Sequence, residues 1–488
     1  MRNRGITGPY RSALLTDLYE LTMAYGYWRH GISEREAVFY LSFRAHPFGG
    51  EYTVACGLAH VCEVLADFQF TASDTDYLSS LRGAGETPLF ADEFLEYLGD
   101  LRFKGDVDAI EEGTLVFPHQ PLLRVRGPLI QAQVVETLLL NTVNFSTLVA
   151  TKAARVCRAA APGSVLEFGL RRAQGASGGV VASRAAYVGG CTGTSNVLAG
   201  KRYGIPVRGT HAHSWVLAFE SELEAFEKYA EAMPNNCILL VDTFDSEKGV
   251  AHAIEVARRM RAKGRELIGI RLDSGDLAAL SRRARAMLDE AGLKETLILA
   301  SGDLDEQRIA ALKERGSRID AWGVGTRLAT AYDQPALGGV YKLSALRDAD
   351  GQWRHKLKVS QEPSKVSLPG LLQVRRYRRD GRCVGDVIYD EMTGIDEPPQ
   401  VVFDGVDQFE TPPATTAEDL LVPVFREGDQ VYQQPPVEDI RERALSQLDD
   451  FSALVEGGPE GTGYPVCLER RLHDTKERLM RACEETSR

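Results

Sequence analysis

The chain has 488 residues, with 57 basic against 69 acidic side chains and a formal net charge of −12. That length leaves room for two or three domains and a large core, and the acidic balance argues against nucleic acid or an anionic membrane as the main partner, so any anionic ligand must be met by local positive groups. Eight cysteines (Cys56, Cys62, Cys157, Cys191, Cys237, Cys383, Cys467, Cys483), with no CxxC pair or zinc-like spacing, read as reduced thiols of a cytoplasmic protein. The amino-terminal stretch MRNRGITGPYRSALLTDLYE lacks the apolar run of a signal peptide, and no run is expected to reach the roughly 20 residues of a membrane helix.

Residues 1–145 mix helix and strand signals, as an α+β domain would. In TDLYELTMAYGYW, Asp17 and Glu20 have capping-box spacing and Leu18, Leu21 and Tyr25 mark a buried side. Tyr19 lies about 100° round the helix from Leu18 and is free to face elsewhere. HPFGGEYTVACGL predicts a turn followed by a strand.

From Val165 to Thr326 one pattern occurs six times: an apolar run stopping at Gly, Asp, Arg, Thr or His, in VLEFGLRR, IPVRGTHAHS, CILLVDTFDS, LIGIRLDSGD, LILASGDLDE and AWGVGTRL. Helical stripes fill the intervals, as with Ile254, Ala257 and Met260. Alternating strands and helices predict a (β/α) barrel over residues 146–345, with its reactive groups on the loops that follow the strands. Residues 346–488 change character: Pro, Gly and acidic residues with short runs such as VVFDGV and VYQQPP predict a β-rich module, and ERALSQLDDF and LERRLHDTKERLMRAC end it in helix.

GTHAHSWV is the sharpest local feature, since Thr210 ends a strand and His211 and His213 follow. A structural pair, a metal pair and a nucleophile or general base compete there. Metal is the weakest, because His30, His46, His60, His119, His252, His355 and His473 all miss the later strand ends. In LDSGD, Gly275 permits a tight turn, the helix from Leu277 offers its N–H groups to an anion, and Asp273 and Asp276 supply carboxylates. Gly302, Gly325 and Thr326 repeat that turn chemistry in consecutive late loops, where barrels bind phosphate. Arg171, Arg172 and Arg271 stand among these loops, either as forks for a carboxylate or phosphate or as salt-bridge partners of Asp242, Asp245 or Asp273. The ensemble suits an anionic ring plus a polyphosphate, with Mg²⁺ held largely by the phosphates and by Asp242 or Asp273.

Together TDLYELTM, PFGGEYTVACGL, EFGLRRAQG, GTHAHSWV, LLVDTFDS, RLDSGD, SGDLDE and GVGTRL resemble the nicotinate phosphoribosyltransferase family, in that family's order, from about residue 13 to about residue 345 and more loosely beyond. The resemblance implies an irregular barrel of the type II phosphoribosyltransferase kind. It also implies a reaction: nicotinate and phosphoribosyl pyrophosphate give nicotinate mononucleotide and pyrophosphate in NAD salvage, coupled to ATP hydrolysis through phosphorylated His213, with Mg²⁺. His213 and Asp273 would then be catalytic. Tyr19 would stack on the nicotinate of the partner subunit in a homodimer. Phe168, Thr210 and Arg271 would bind nicotinate, and Arg171, Ser274, Gly275, Gly302, Gly325 and Thr326 the phosphoribosyl substrate. Ser195, in GGCTGTSN, stands where enzymes of the amide carry aspartate; it favours the acid, which a carboxylate would repel. A nicotinamide or quinolinate enzyme, a non-catalytic nucleotide-binding barrel and a metal hydrolase are the alternatives.

Overall fold

The computed structural model describes residues 12–362, 365–403, 406–407, 416–457 and 464–486. Residues 1–11 of the amino-terminal stretch and Asp404–Gly405 of VVFDGV lie outside the described residues. The chain divides into two compact units, one of residues 1–148, 336–436 and 442–488, the other of 149–335 and 437–441.

In the first unit a seven-stranded antiparallel sheet interleaves both ends of the chain. Its order is Trp353–His355, Gly339–Arg347, Glu36–Phe43, Leu123–Pro128, Asp106–Ile110, Leu421–Arg426 and Asp429–Gln430. Every residue of Glu36–Phe43 after Glu36 is buried, which is why its sequence is apolar on both faces rather than alternating. A second sheet of six strands is built wholly from residues 372–469, around Arg382–Asp390. The run VYQQPP forms no strand, because its two prolines lack the N–H groups a ladder needs. The helix Leu18–Arg29 also departs from expectation. Asp17 precedes it without a side-chain cap, and Glu20 is fully buried and accepts from Gln133 Nε2 at 2.6 Å. Leu18 and Tyr19 are both exposed, at 52% and 48%.

The second unit holds a six-stranded sheet in the order Gly193–Thr194, Ser164–Glu167, Ala321–Val324, Leu297–Ala300, Gly269–Leu272, Ile238–Leu240, with every pairing parallel. Helices such as Ser246–Arg261, which buries Ile254, Ala257 and Met260, alternate with the strands. The expected strand in IPVRG is reduced to one bridge between Val207 and Thr194, so the ring is irregular at that point. Against expectation, one apolar helical stretch, Leu129–Ala160, is long enough to cross a membrane, but most of it is buried inside the protein.

Candidate active site

Parallel strands bring their carboxyl ends to one side, and Phe168, Thr210, Arg271 and Asp273 meet there. Phe168 follows Ser164–Glu167, and its N–H donates to Val324 O at 2.8 Å. Its ring lies on bare backbone: a Cβ at Gly323 would stand 2.7 Å from it. The Arg271 guanidinium carbon is 5.7 Å from the Phe168 ring centroid, a cation–π contact. Arg271 donates from Nε to Ser301 Oγ at 2.7 Å, from Nη1 to Thr210 Oγ1 at 3.2 Å and from Nη2 to Asp273 Oδ1 at 2.8 Å. A guanidinium carries five N–H groups, so one remains on each Nη, the pair a carboxylate takes in a two-point contact.

Ser195 joins this side through its backbone, donating to Glu167 O at 3.0 Å. The sequence reading missed Glu167. Only 1% exposed, it accepts from Ser183 Oγ at 2.9 Å and Thr194 Oγ1 at 2.6 Å and from the Gly169 N–H, while Asn196 Nδ2 donates to Ser183 Oγ at 3.1 Å. A buried carboxylate satisfied by neutral donors thus fixes the backbone on either side of Phe168 and beside Ser195. The one local signal for it is an acidic residue on an apolar strand directly before Phe-Gly.

At the adjoining strand ends, Ser301 Oγ donates to Asp273 Oδ1. Burial pushes the Asp273 carboxyl up, but the Ser301 hydrogen bond and the Arg271 charge outweigh it and hold the group below the usual aspartate range. Asp242 Oδ2 accepts from the Asp273 N–H at 2.9 Å and from Ser274 Oγ at 2.7 Å. Gly302, at φ +99°, lets the next loop approach so closely that a Cβ would fall 2.1 Å from Asp273 O. Gly325 and Thr326 follow Ala321–Val324, Gly325 against the Phe168 backbone. Gly275 supplies the φ +80° turn expected of it. Asp276 takes a different part from the one expected: its carboxylate caps the helix Leu277–Glu290 through the Ala279 N–H at 3.3 Å and pairs with Arg315 at 2.7 Å, occupying the end offered to an anion. Arg171 lies exposed on the short turn Leu170–Arg172.

Asp242 Oδ1 is buried without a hydrogen-bond partner, and Asp273 is its neighbour through the backbone. Among the described residues no group of three or more His, Cys, Asp or Glu could hold a metal. This donor set fits a Mg²⁺ ion touched by one or two carboxylates and coordinated mainly by phosphate oxygens and water.

The two histidines separate cleanly. His211 is buried against Tyr229, with ring centroids 4.7 Å apart. Its Nε2 accepts from the Leu240 N–H at 3.1 Å and its Nδ1 lies 3.3 Å from Ala212 O, which assigns the Nδ1–H tautomer. Burial lowers its pKa. Leu240 belongs to the edge strand Ile238–Leu240, so the imidazole supplies the acceptor a neighbouring strand would have given. His213, the first residue of the helix His213–Leu217, pairs Nδ1 with Thr243 Oγ1 at 3.1 Å and is half-buried, and Thr243 adjoins Asp242.

Tyr19 belongs to the first unit, where its hydroxyl donates to Glu136 Oε1 at 3.3 Å. The same unit holds a basic cluster that sequence reading also missed. Arg44, His119, Lys342 and Lys365 line one small pocket. Burial and the charges of Lys358 and Arg44 lower Lys342, although Glu136 opposes them, and burial with Lys476 and Arg44 lowers His119.

The irregular parallel ring, with a guanidinium fork and glycine loops at its strand ends, defines a barrel of the type II phosphoribosyltransferase class. Residues 14–144, 164–358 and 373–476 match, respectively, the nicotinate phosphoribosyltransferase N-terminal domain, the nicotinate phosphoribosyltransferase family and the corresponding C-terminal domain. The chain is 44% identical to the nicotinate phosphoribosyltransferase of Bacillus subtilis, over 97% of this chain and 98% of that one. It is 42% identical to nicotinate phosphoribosyltransferase pncB2 of Mycobacterium tuberculosis, over 96% and 94%. The crystal structure of human nicotinic acid phosphoribosyltransferase superposes with a TM-score of 0.79 at 32% identity, covering 95% of this chain and 99% of that chain. This chain belongs to the nicotinate phosphoribosyltransferase family.

Proposed function

We propose that the protein transfers the phosphoribosyl group from phosphoribosyl pyrophosphate to nicotinate in NAD salvage, releasing pyrophosphate. The observation that carries this reading is Arg271: a guanidinium stacked over Phe168, with three donors engaged by Ser301, Thr210 and Asp273 and a donor left on each Nη for a ring carboxylate. The nicotinate nitrogen forms a bond to the anomeric carbon as the carbon–oxygen bond to pyrophosphate breaks. That displacement needs positioning and tolerance of positive charge at the sugar rather than covalent catalysis. Asp273 and Asp242 supply negative charge that would suit it, and the neighbouring Gly302, Gly325 and Thr326 would meet the phosphates. Asp242 or Asp273 would help hold Mg²⁺ that is bound mainly by pyrophosphate, and the ion would neutralise charge on that leaving group. Ser195, whose N–H donates to Glu167 O next to Phe168, in place of a carboxylate, favours the acid over the amide.

ATP hydrolysis is coupled through His213. Thr243 holds Nδ1, so Nε2 is the nitrogen left to take the γ-phosphoryl, with ADP leaving, and water later cleaves the N–P bond to release phosphate and restore the imidazole. The phosphorylated ring then favours the substrate-bound state by differential affinity. The protein acts as a homodimer in which Tyr19 serves the nicotinate of the partner subunit. The test is product formation from phosphoribosyl pyrophosphate and Mg²⁺ with nicotinate or nicotinamide, each with and without ATP. Nicotinate mononucleotide formed faster with ATP is expected, and turnover of nicotinamide instead would overturn the Ser195 assignment. A His213→Ala enzyme that kept full ATP coupling would remove the phosphohistidine from the scheme.

A further inference from the structure

Lys152 is the only fully buried amine among the largest buried side chains of the described residues, with a side-chain exposure of 0%. It sits in the apolar helix Glu136–Ala160, where no sequence motif marks it. Its Nζ lies 2.7 Å from Glu306 Oε2 and donates to Asp333 Oδ2. Arg155, one turn on, reaches Glu306 Oε1 at 3.0 Å. The ring of charge then closes through Arg327, whose Nη1 is 3.3 Å from Asp333 Oδ1 and 3.3 Å from Asp305 Oδ2. Asp305 and Glu306 end the loop that begins with Gly302. Arg327 directly follows Thr326, and Asp333 closes the segment behind it. One ammonium therefore ties together the two loops that form the phosphate side of the site.

A buried ion pair of this kind adds little stability over apolar packing of equal volume, so its placement between two glycine loops calls for a functional account. Loops with Gly302 at φ +99° and Gly325 without a side chain have little stiffness of their own. The charge ring supplies it from behind. We propose that Lys152 is a positioning residue for the phosphoribosyl pyrophosphate half of the site, fixing the spacing between the Gly302 loop and the Gly325–Thr326 loop through Glu306 and Asp333. The inference rests on the transfer reaction proposed above. It predicts an asymmetry, since the nicotinate half is held by Glu167, Phe168 and Arg271, none of which belongs to the ring.

The experiment compares wild type with Lys152→Met, Lys152→Arg and Asp333→Asn, varying phosphoribosyl pyrophosphate and nicotinate in turn, with calorimetric titration of phosphoribosyl pyrophosphate into each protein alongside. Asp333 is 37% exposed on its side chain, so its amide variant keeps the test open if Lys152→Met fails to fold. Expected is a rise of at least about tenfold in KM and Kd for phosphoribosyl pyrophosphate, a nicotinate KM within about twofold of wild type, and partial rescue in Lys152→Arg, which keeps the charge. Equal rises for both substrates, or unchanged phosphoribosyl pyrophosphate binding in folded variants, would overturn the proposal. A wild type that binds phosphoribosyl pyrophosphate but forms no nucleotide would instead remove the transfer reading, and the binding titrations would still decide the role of Lys152.

Discussion

At Arg271 the geometry of the donors matters more than the charge. A lysine would keep the charge but could not bind Ser301, Thr210 and Asp273 and still present a planar pair to a carboxylate. Losing a charge-assisted two-point contact costs about 1.5–3 kcal/mol, so Arg271→Lys should raise the nicotinate KM about 10- to 100-fold. Steady-state kinetics with nicotinate varied checks this, and an unchanged KM would contradict the assignment. Glu20 offers a pH test. Burial pushes its carboxyl up to about 7, with the Gln133 hydrogen bond only partly opposing it, and Oε1 has no partner. A carboxyl raised in the folded state above its ordinary 4.5 costs nothing below that value and loses stability as pH climbs through about 7. Glu20→Gln should therefore melt above wild type at pH 8, with the two converging near pH 5. Parallel melting curves across that range would refute it.

At the level of elements, the loop after Leu297–Ala300 has little room for a side chain. Gly302→Ala places a methyl 2.1 Å from Asp273 O at a φ of +99°, so it should cost at least about 1–3 kcal/mol of strain and weaken phosphoribosyl pyrophosphate binding, as thermal unfolding with and without that substrate would report. A normal melt and normal affinity would show the loop to be pliant. This loop, like the strand ends at Phe168, Asp242, Asp273 and Thr326, was legible because an apolar run followed by Gly or Asp is a local pattern with a local cause. Other features had no such cause. Arg44, His119, Lys342 and Lys365 lie far apart in sequence and meet only through an antiparallel sheet. The role of His211 depends on the missing strand beside Leu240, which cannot be read from HxH spacing. The capping box at Asp17 and Glu20 failed because burial beside Gln133 draws Glu20 away from the helix end, a tertiary effect overriding a local one.

For the whole molecule, subunit exchange is the assay that decides whether the site is shared between two copies of the chain. If Tyr19 serves the partner's nicotinate, Tyr19→Ala and His213→Ala homodimers are each impaired, but a mixture allowed to exchange subunits forms hybrids with one site free of both changes. Activity of about a quarter of wild type is expected from random pairing, and a mixture no better than its parents would argue against sharing. The interleaved sheet of the first unit also has a consequence for how the chain is made. Synthesis completes residues 149–335, a unit of mostly sequential neighbours, before the strands Gly339–Arg347 and Leu421–Arg426 exist. Until they emerge from the ribosome, Glu36–Phe43 and Asp106–Ile110 each present an unpaired edge rich in buried-type residues. The nascent protein thus carries a nearly complete parallel unit together with a half-built antiparallel sheet until Leu421–Arg426 is made, and that interval is where chaperones would be needed most.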